Sequence, residues 1–252
     1  DLGRLSRERV KQELQKTMAQ VRHPSRAMEL WRSSGAMSVL LPSIDAQPAW
    51  ARSAADWCAA PDQTDNEGVA RRRTLVRLAT LFCGLPHDAA RRALRELRFS
   101  NRDGDWITHL GVCAGQLRPR VLAALRDNAA ASDAELRRWA SLAGRLRLAD
   151  VLRVTLATLH AGGDLEPSSA ARAHAVYRRA LRIAFGSPVE LADLAVDGDL
   201  LMREGGVPRG PALGTTLRRL LDAVLDDPTT NERERLLTLA RSWSGLPTGE
   251  AR

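Results

Sequence analysis

From Ser6 to Trp243 apolar residues return every three or four positions, and glycine, proline or asparagine stands between the runs. Val10, Leu14 and Met18 lie four apart in SRERVKQELQKTMA, and Trp106, Leu110 and Cys113 share one face of RDGDWITHLGVCAGQL. Ala173, Val176, Ala180 and Ile183 keep the same spacing, as do Leu213, Leu217, Leu220, Leu221 and Val224. Such a period gathers side chains into one stripe of a helix, which must then be buried against another. Only 4% of the residues are aromatic while alanine, leucine and arginine dominate, so the core has to be aliphatic filling between helices. The expected fold class is all-α, an irregular multi-helix array with no sheet of consequence. No repeat of roughly 20 to 50 residues is present, which disfavours a regular solenoid.

At 252 residues and 44% hydrophobic content the chain has room for one large or two small domains. The formal charge of +8 favours a polyanionic partner, because cations that neutralise phosphates release counterions. Lys11 and Lys16 are the only lysines among 38 basic residues, so the basicity is arginine. A GC-rich genome would raise arginine whatever the function, and solvated helix faces are the alternative reading. Cys58, Cys83 and Cys113 are odd in number and form no C-x-x-C pair, which argues against a disulfide framework or a zinc knuckle and fits a reducing cytoplasm. No apolar run approaches the roughly 20 residues of a bilayer span, so no membrane partner is expected and the location expected is cytoplasmic. An amphipathic pattern begins almost at Asp1, and a further N-terminal part is expected upstream.

Turn residues divide the chain into four expected regions: helices over 1–46, a helical body over 47–130, connecting helices over 131–186 and a closing unit over 187–252. Ser6 is the natural N-cap of the first helix, with Arg9 facing Glu13. Ser132 with Glu135 has capping-box spacing. Breaks are expected near Gly144 and Gly162, and MSVLLPSI reads as an apolar turn ended by Pro42. Trp50, Trp57, Trp106 and Trp139 read as core fillers rather than stacking platforms.

Residues that could carry chemistry are few. His87-Asp88 follows Pro86 at a helix start, where an exposed His and a dipole-favoured Asp suffice as explanation. His109 and Cys113 are one turn apart, too few for zinc. No G-x-S-x-G elbow exposes a nucleophile. Asp197-Gly198-Asp199 has the residues of a turn, with a cation site as the lesser reading. No catalytic residue and no metal site is expected in this chain. Phosphate binding is better supported. Arg209-Gly210-Pro211 precedes a helix whose first N–H groups face outward, and Thr215, Arg218 and Arg219 follow on it. The same segment would also serve as a tight hinge. Arg4, Arg7, Lys11 and Lys16 make a second candidate patch, with solvated helix surface as its equal.

Leu5-Ser6-Arg7-Glu8-Arg9-Val10 near one end and Pro208-Arg209-Gly210-Pro211 near the other resemble motifs of a known family, the bacterial CCA-adding tRNA nucleotidyltransferases and poly(A) polymerases. Leu5-Ser6-Arg7-Glu8-Arg9-Val10 with Glu13-Leu14 and Lys16 is similar to the family's neck, where an Arg-x-x-x-Glu pair, here Arg9 and Glu13, braces the nucleotide-selecting helices. Trp31-Arg32-Ser33-Ser34-Gly35 to Val39-Leu40-Leu41-Pro42 resembles its glycine elbow. Asp193-Leu194-Ala195-Val196-Asp197-Gly198-Asp199-Leu200, Pro208-Arg209-Gly210-Pro211 with Leu213-Gly214, and Asp227-Pro228 with Asn231 resemble the tail that holds the tRNA elbow. The resemblance is good at both ends and loose in the middle. It implies a neck, body and tail that hold tRNA for a catalytic head, on the same or a separate chain, where magnesium and ATP or CTP would bind. No cofactor is expected here, since the Gly-Ser motif with paired aspartates and the Glu-Asp-x-x-Arg element are both absent. Many relatives also carry a phosphohydrolase domain with a His-Asp pair; Leu81-Phe82-Cys83-Gly84 has neither residue, which puts metal hydrolysis in doubt. The alternatives are the same part of a poly(A) polymerase and a non-catalytic helical scaffold.

Overall fold

Ser6 opens the first helix, α1 (Arg7–Gln20), by accepting the Arg9 N–H on its hydroxyl at 3.2 Å. The computed structural model describes residues 6–62, 64–126 and 131–243. Among the described residues 75% are helical, in fourteen α-helices and short 3-10 turns, and there is no strand. The described residues fall into two compact units, one drawn from 1–130 and 149–177, the other from 131–148 and 178–252.

In the first unit Val10, Leu14 and Met18 form the buried stripe of α1, which packs on α6 (Glu67–Thr80). Full burial of side chains such as Leu14 and Met18 stabilises by about 1.5–3 kcal/mol each. Between them lie α2 (Pro24–Ser33), α3 (Ala36–Leu40), α4 (Pro42–Asp45), α5 (Ala49–Ser53) and a 3-10 turn, Ala54–Trp57. Pro42 does not end the apolar turn around it; it is the first residue of α4, where a fixed φ is helical and no N–H is missed. The helix α2 has no cap from His23, and Asp56 serves instead, accepting the Ser25 N–H at 2.9 Å and the Ser25 hydroxyl at 2.6 Å.

The centre of this unit is the second half of α6, buried without interruption from Leu75 to Thr80. It packs against α8 (Asn101–Arg126), beside α7 (His87–Glu96). The approach is close at Gly111, where a Cβ would stand 3.1 Å from the Ala79 and Phe82 carbonyl oxygens. Pro119 lies inside α8, which runs through it because Val121, Ala124 and Leu125 continue the buried stripe. The unit is completed by α10 (Leu148–Ala161) and the start of α11 (Ala170–Gly186).

Within that apolar centre Arg77 is fully buried. Its Nη1 donates to the Met18 and Val21 carbonyls at 2.6 and 3.0 Å, its Nη2 to Arg22 at 3.0 Å and its Nε to Ala55 at 3.2 Å. No basic residue lies in the last turn of α1, so the guanidinium supplies from α6 the cation and donors that this helix end requires.

The second unit is built from α9 (Asp133–Ala143), the end of α11, α12 (Gly198–Arg203), α13 (Pro211–Asp226) and α14 (Arg233–Trp243). Ser132 caps α9 as its spacing predicts, accepting the Glu135 N–H at 3.1 Å. Val196, Leu201, Val207, Leu220, Val224, Leu236, Leu237 and Ala240 make one core between α12, α13 and α14. Asn231 fastens the entry strap to it, accepting from the Ala195 N–H and donating to the Asp193 carbonyl, both at 2.9 Å. Among the described residues no helix is long and apolar enough to cross a membrane.

Candidate nucleic-acid interface

The start of α13 is the first candidate. Gly210 is its N-cap at φ +114°, a conformation that side chains resist, and no side chain of that residue bonds the first N–H groups. Pro211 follows at the first helical position and contributes no N–H. Arg209, Gly210, Thr215 and Arg218 are all exposed, and Pro211, Thr215 and Arg218 fall on one face at i, i+4, i+7 spacing. The Thr215 hydroxyl returns to the Pro211 carbonyl at 3.1 Å. Arg219 turns aside, its guanidinium 4.1 Å from the Trp243 ring, and so helps hold α14. Asp197 N-caps α12, accepting the Leu200 N–H at 2.8 Å. Gly198 opens that helix, and the exposed Pro208 lies in the crossing segment before α13.

The second candidate patch lies on α1, in the other unit. Arg4 falls outside the described residues. Arg7 donates to the Leu40 carbonyl at 3.0 Å, and Lys11 to the Arg98 carbonyl at 3.1 Å with Nζ 5.6 Å from the Phe99 ring. Both therefore brace α1 against its neighbours; Lys16 is simply exposed. Arg9 and Glu13, also exposed, border a recess of about 330 Å³ with Trp31 and Ser34.

Much of the arginine serves helix ends rather than open surface. Besides Arg77, Arg137 donates to the last carbonyls of α13, Leu225 at 2.7 Å and Asp226 at 2.9 Å. Arg172 donates to Leu125 at 2.6 Å near the end of α8. Arg145 donates to Ala184 at 2.7 Å and Ser187 at 3.2 Å at the end of α11, and to the Asp193 carboxylate at 2.6 Å. These guanidiniums are committed to carbonyls, so the net charge overstates the basic surface that a polyanion would meet.

A third site has no counterpart in the sequence pattern. Trp57 is not a core filler: it is 59% exposed, and its ring stacks on His160 with centroids 4.7 Å apart and planes 10° apart. The pair lines a cavity of about 480 Å³ beside Arg72, Arg73 and Arg153. On its wall the buried Asp150 carboxylate accepts from Arg72 Nε and Arg153 Nη1, each at 2.6 Å. Burial pushes His160 below its ordinary value. Cys58, also lining the cavity, is pushed up to about 12 by burial, against the opposing pull of Arg77. Trp139 is fully buried as expected, while Trp50 and Trp106 are half-buried. No local spacing reveals the cavity, because Trp57, Arg72 and His160 are brought together only by packing of the 3-10 turn, α6 and α10.

Other singled-out residues take structural places. His87 and Asp88 begin α7 and are both exposed, with Nδ1 and Oδ1 3.2 Å apart. Cys113 Sγ lies 3.7 Å from His109 Nε2 on α8. Among the described residues no three His, Cys, Asp or Glu side chains are grouped to hold a metal ion.

The fold defines an all-helical, arginine-braced protein whose polar recesses are lined by cations and aromatic rings. The family model for tRNA nucleotidyltransferase domain 2 matches residues 72–240, and the chain belongs to that family. No curated protein and no solved structure matches the chain.

Proposed function

We propose that this chain is the RNA-holding portion of a nucleotidyltransferase that adds C, C and A to tRNA 3′ ends. The chemistry is assigned to a head domain outside these residues, on the same or a separate chain, where magnesium and ATP or CTP would bind. The observation that carries this reading is the start of α13, an exposed helix N-terminus opened by Gly210 and flanked by Arg209, Thr215 and Arg218. Backbone N–H groups and the helix dipole there suit a phosphate, and two guanidiniums suit its neighbours along a bent backbone. Family membership supports tRNA as the polyanion. Recognition by phosphates and shape suits A-form RNA, whose deep major groove resists side-chain reading.

Filter binding of tRNA across a salt series tests this. Arg209→Ala with Arg218→Ala should lower affinity and flatten the logarithmic salt slope by about 2, roughly one for each phosphate no longer neutralised. Negligible binding at low salt, or an unchanged slope, removes the reading and leaves a helical scaffold. The purified chain should incorporate no labelled CTP. With the head present, CTP plus ATP should yield three added nucleotides, whereas long extension with ATP alone would assign the family's poly(A) activity instead.

A further inference from the structure

We propose that the cavity between α6, α10 and the Ala54–Trp57 turn binds a nucleoside monophosphate group. The base lies against the Trp57–His160 pair and the phosphate lies among Arg72, Arg73 and Arg153. An indole left 59% exposed beside a recess of about 480 Å³ is not filling a core. With its plane fixed 10° from that of His160, it offers a rigid flat surface of the kind on which nucleobases stack. Val69, Val76, Leu156 and Ala157 supply apolar wall, and the volume lies in the range of small-ligand sites.

The cations are placed in advance. Asp150 takes one N–H from Arg72 and one from Arg153, which fixes both forks while leaving most of their five donors unspent. Arg73 is anchored at the Asp65 carboxylate, 2.9 Å, and the Ala60 carbonyl, 3.1 Å. Three guanidiniums against two carboxylates leave about one net positive charge, which matches a single phosphate group better than a triphosphate. A neutral His160 adds no charge to the stack. The monophosphate group is that of a free nucleotide or of an unpaired nucleotide in an RNA, since both present the same base and phosphate.

The full chain, titrated calorimetrically with AMP, CMP, adenosine and inorganic phosphate, tests the site. AMP or CMP should bind saturably, and adenosine and phosphate should each bind at least about tenfold more weakly. Trp57→Ala should weaken binding by about 5- to 150-fold, the usual effect of removing a stacking ring. Trp57→Phe should restore most of the loss, and both variants should keep the parent's circular dichroism and melting temperature because the ring is exposed. Displacement of a short single-stranded RNA by AMP assigns the site to RNA; AMP binding without such displacement assigns it to the free nucleotide. Absence of saturable AMP and CMP binding up to about 1 mM overturns the proposal. Phosphate binding as well as AMP does the same, and so does an affinity indifferent to Trp57→Ala. The α13 reading stands or falls separately, because tRNA retention in the salt series is read without any nucleotide.

Discussion

Replacing Arg77 by methionine keeps the length of the side chain and removes all of its donors. Four carbonyls then lose the guanidinium: Met18 and Ala55, whose bonds to Arg77 are buried, and Val21 and Arg22, whose bonds are partly buried; Ala55 keeps the Cys58 N–H, at 3.2 Å. Val21 and Arg22 can recover water, whereas the Met18 carbonyl, left unsatisfied, costs about 1–3 kcal/mol, and the Ala55 carbonyl loses one of two bonds, at about 0.5–1.5 kcal/mol. Methionine returns some apolar burial, so the expected loss is about 1–4 kcal/mol. For a chain of this size that lowers the melting temperature by roughly 2–16 °C. Arg77→Lys should recover only part of the loss, because an ammonium carries three donors and lacks the planar fork that reaches α1 and the 3-10 turn together. Urea and thermal denaturation followed by circular dichroism measure both. A methionine variant melting within about 1 °C of the parent would refute the claim that this guanidinium secures the end of α1.

Three further outcomes are expected. Gly111→Leu should destabilise by at least about 1–3 kcal/mol in urea unfolding, because even a Cβ there meets the backbone of α6 at 3.1 Å; equal stability would show that α6 and α8 can separate at little cost. His160 is pushed down by burial, so the unfolded chain binds its proton more readily. Its contribution should therefore be fully present above the ordinary value of about 6.5 and decline as pH falls below it, a decline that His160→Gln should reduce in parallel pH-dependent melts. The buried Cys58 and Cys83 thiols are both pushed up to about 12, so neither should react with a thiol reagent at pH 8 until denaturant is added, as mass spectrometry would show.

Sequence signals are legible where the physics is local. Ser6 and Ser132 cap the helices that their spacing predicts, and the aliphatic stripe of α1 is buried as its period requires, as is that of α13 from Leu220 on, while Leu213 and Leu217 are half-buried. Proline is the weaker guide. Pro42 starts a helix rather than ending a turn, and Pro119 lies inside α8, because neighbouring burial outweighs one missing hydrogen bond. What stays hidden depends on partners far along the chain. Arg77 reaches carbonyls 55 to 59 residues away in α1 and the residues just after it, so its burial has no signature in any window of sequence. Trp57 reads as core because tryptophan usually is, and the partner it stacks on instead, His160, lies far along the chain on α10. Of the tail residues, Arg209, Gly210, Thr215 and Arg218 gather at one helix start, while Arg219 packs on Trp243.

Two populations of arginine thus share one isoelectric point. A lysine exchange at position 77, 137 or 145 would preserve every unit of charge and still undo a fastening between chain segments, whereas the same exchange at 209 or 218 would leave the scaffold untouched. Electrophoretic or chromatographic behaviour cannot tell these changes apart, and solubility would be a poor proxy for competence toward a polyanion. What distinguishes the residues is the acceptor each one faces, carbonyl oxygen or open water.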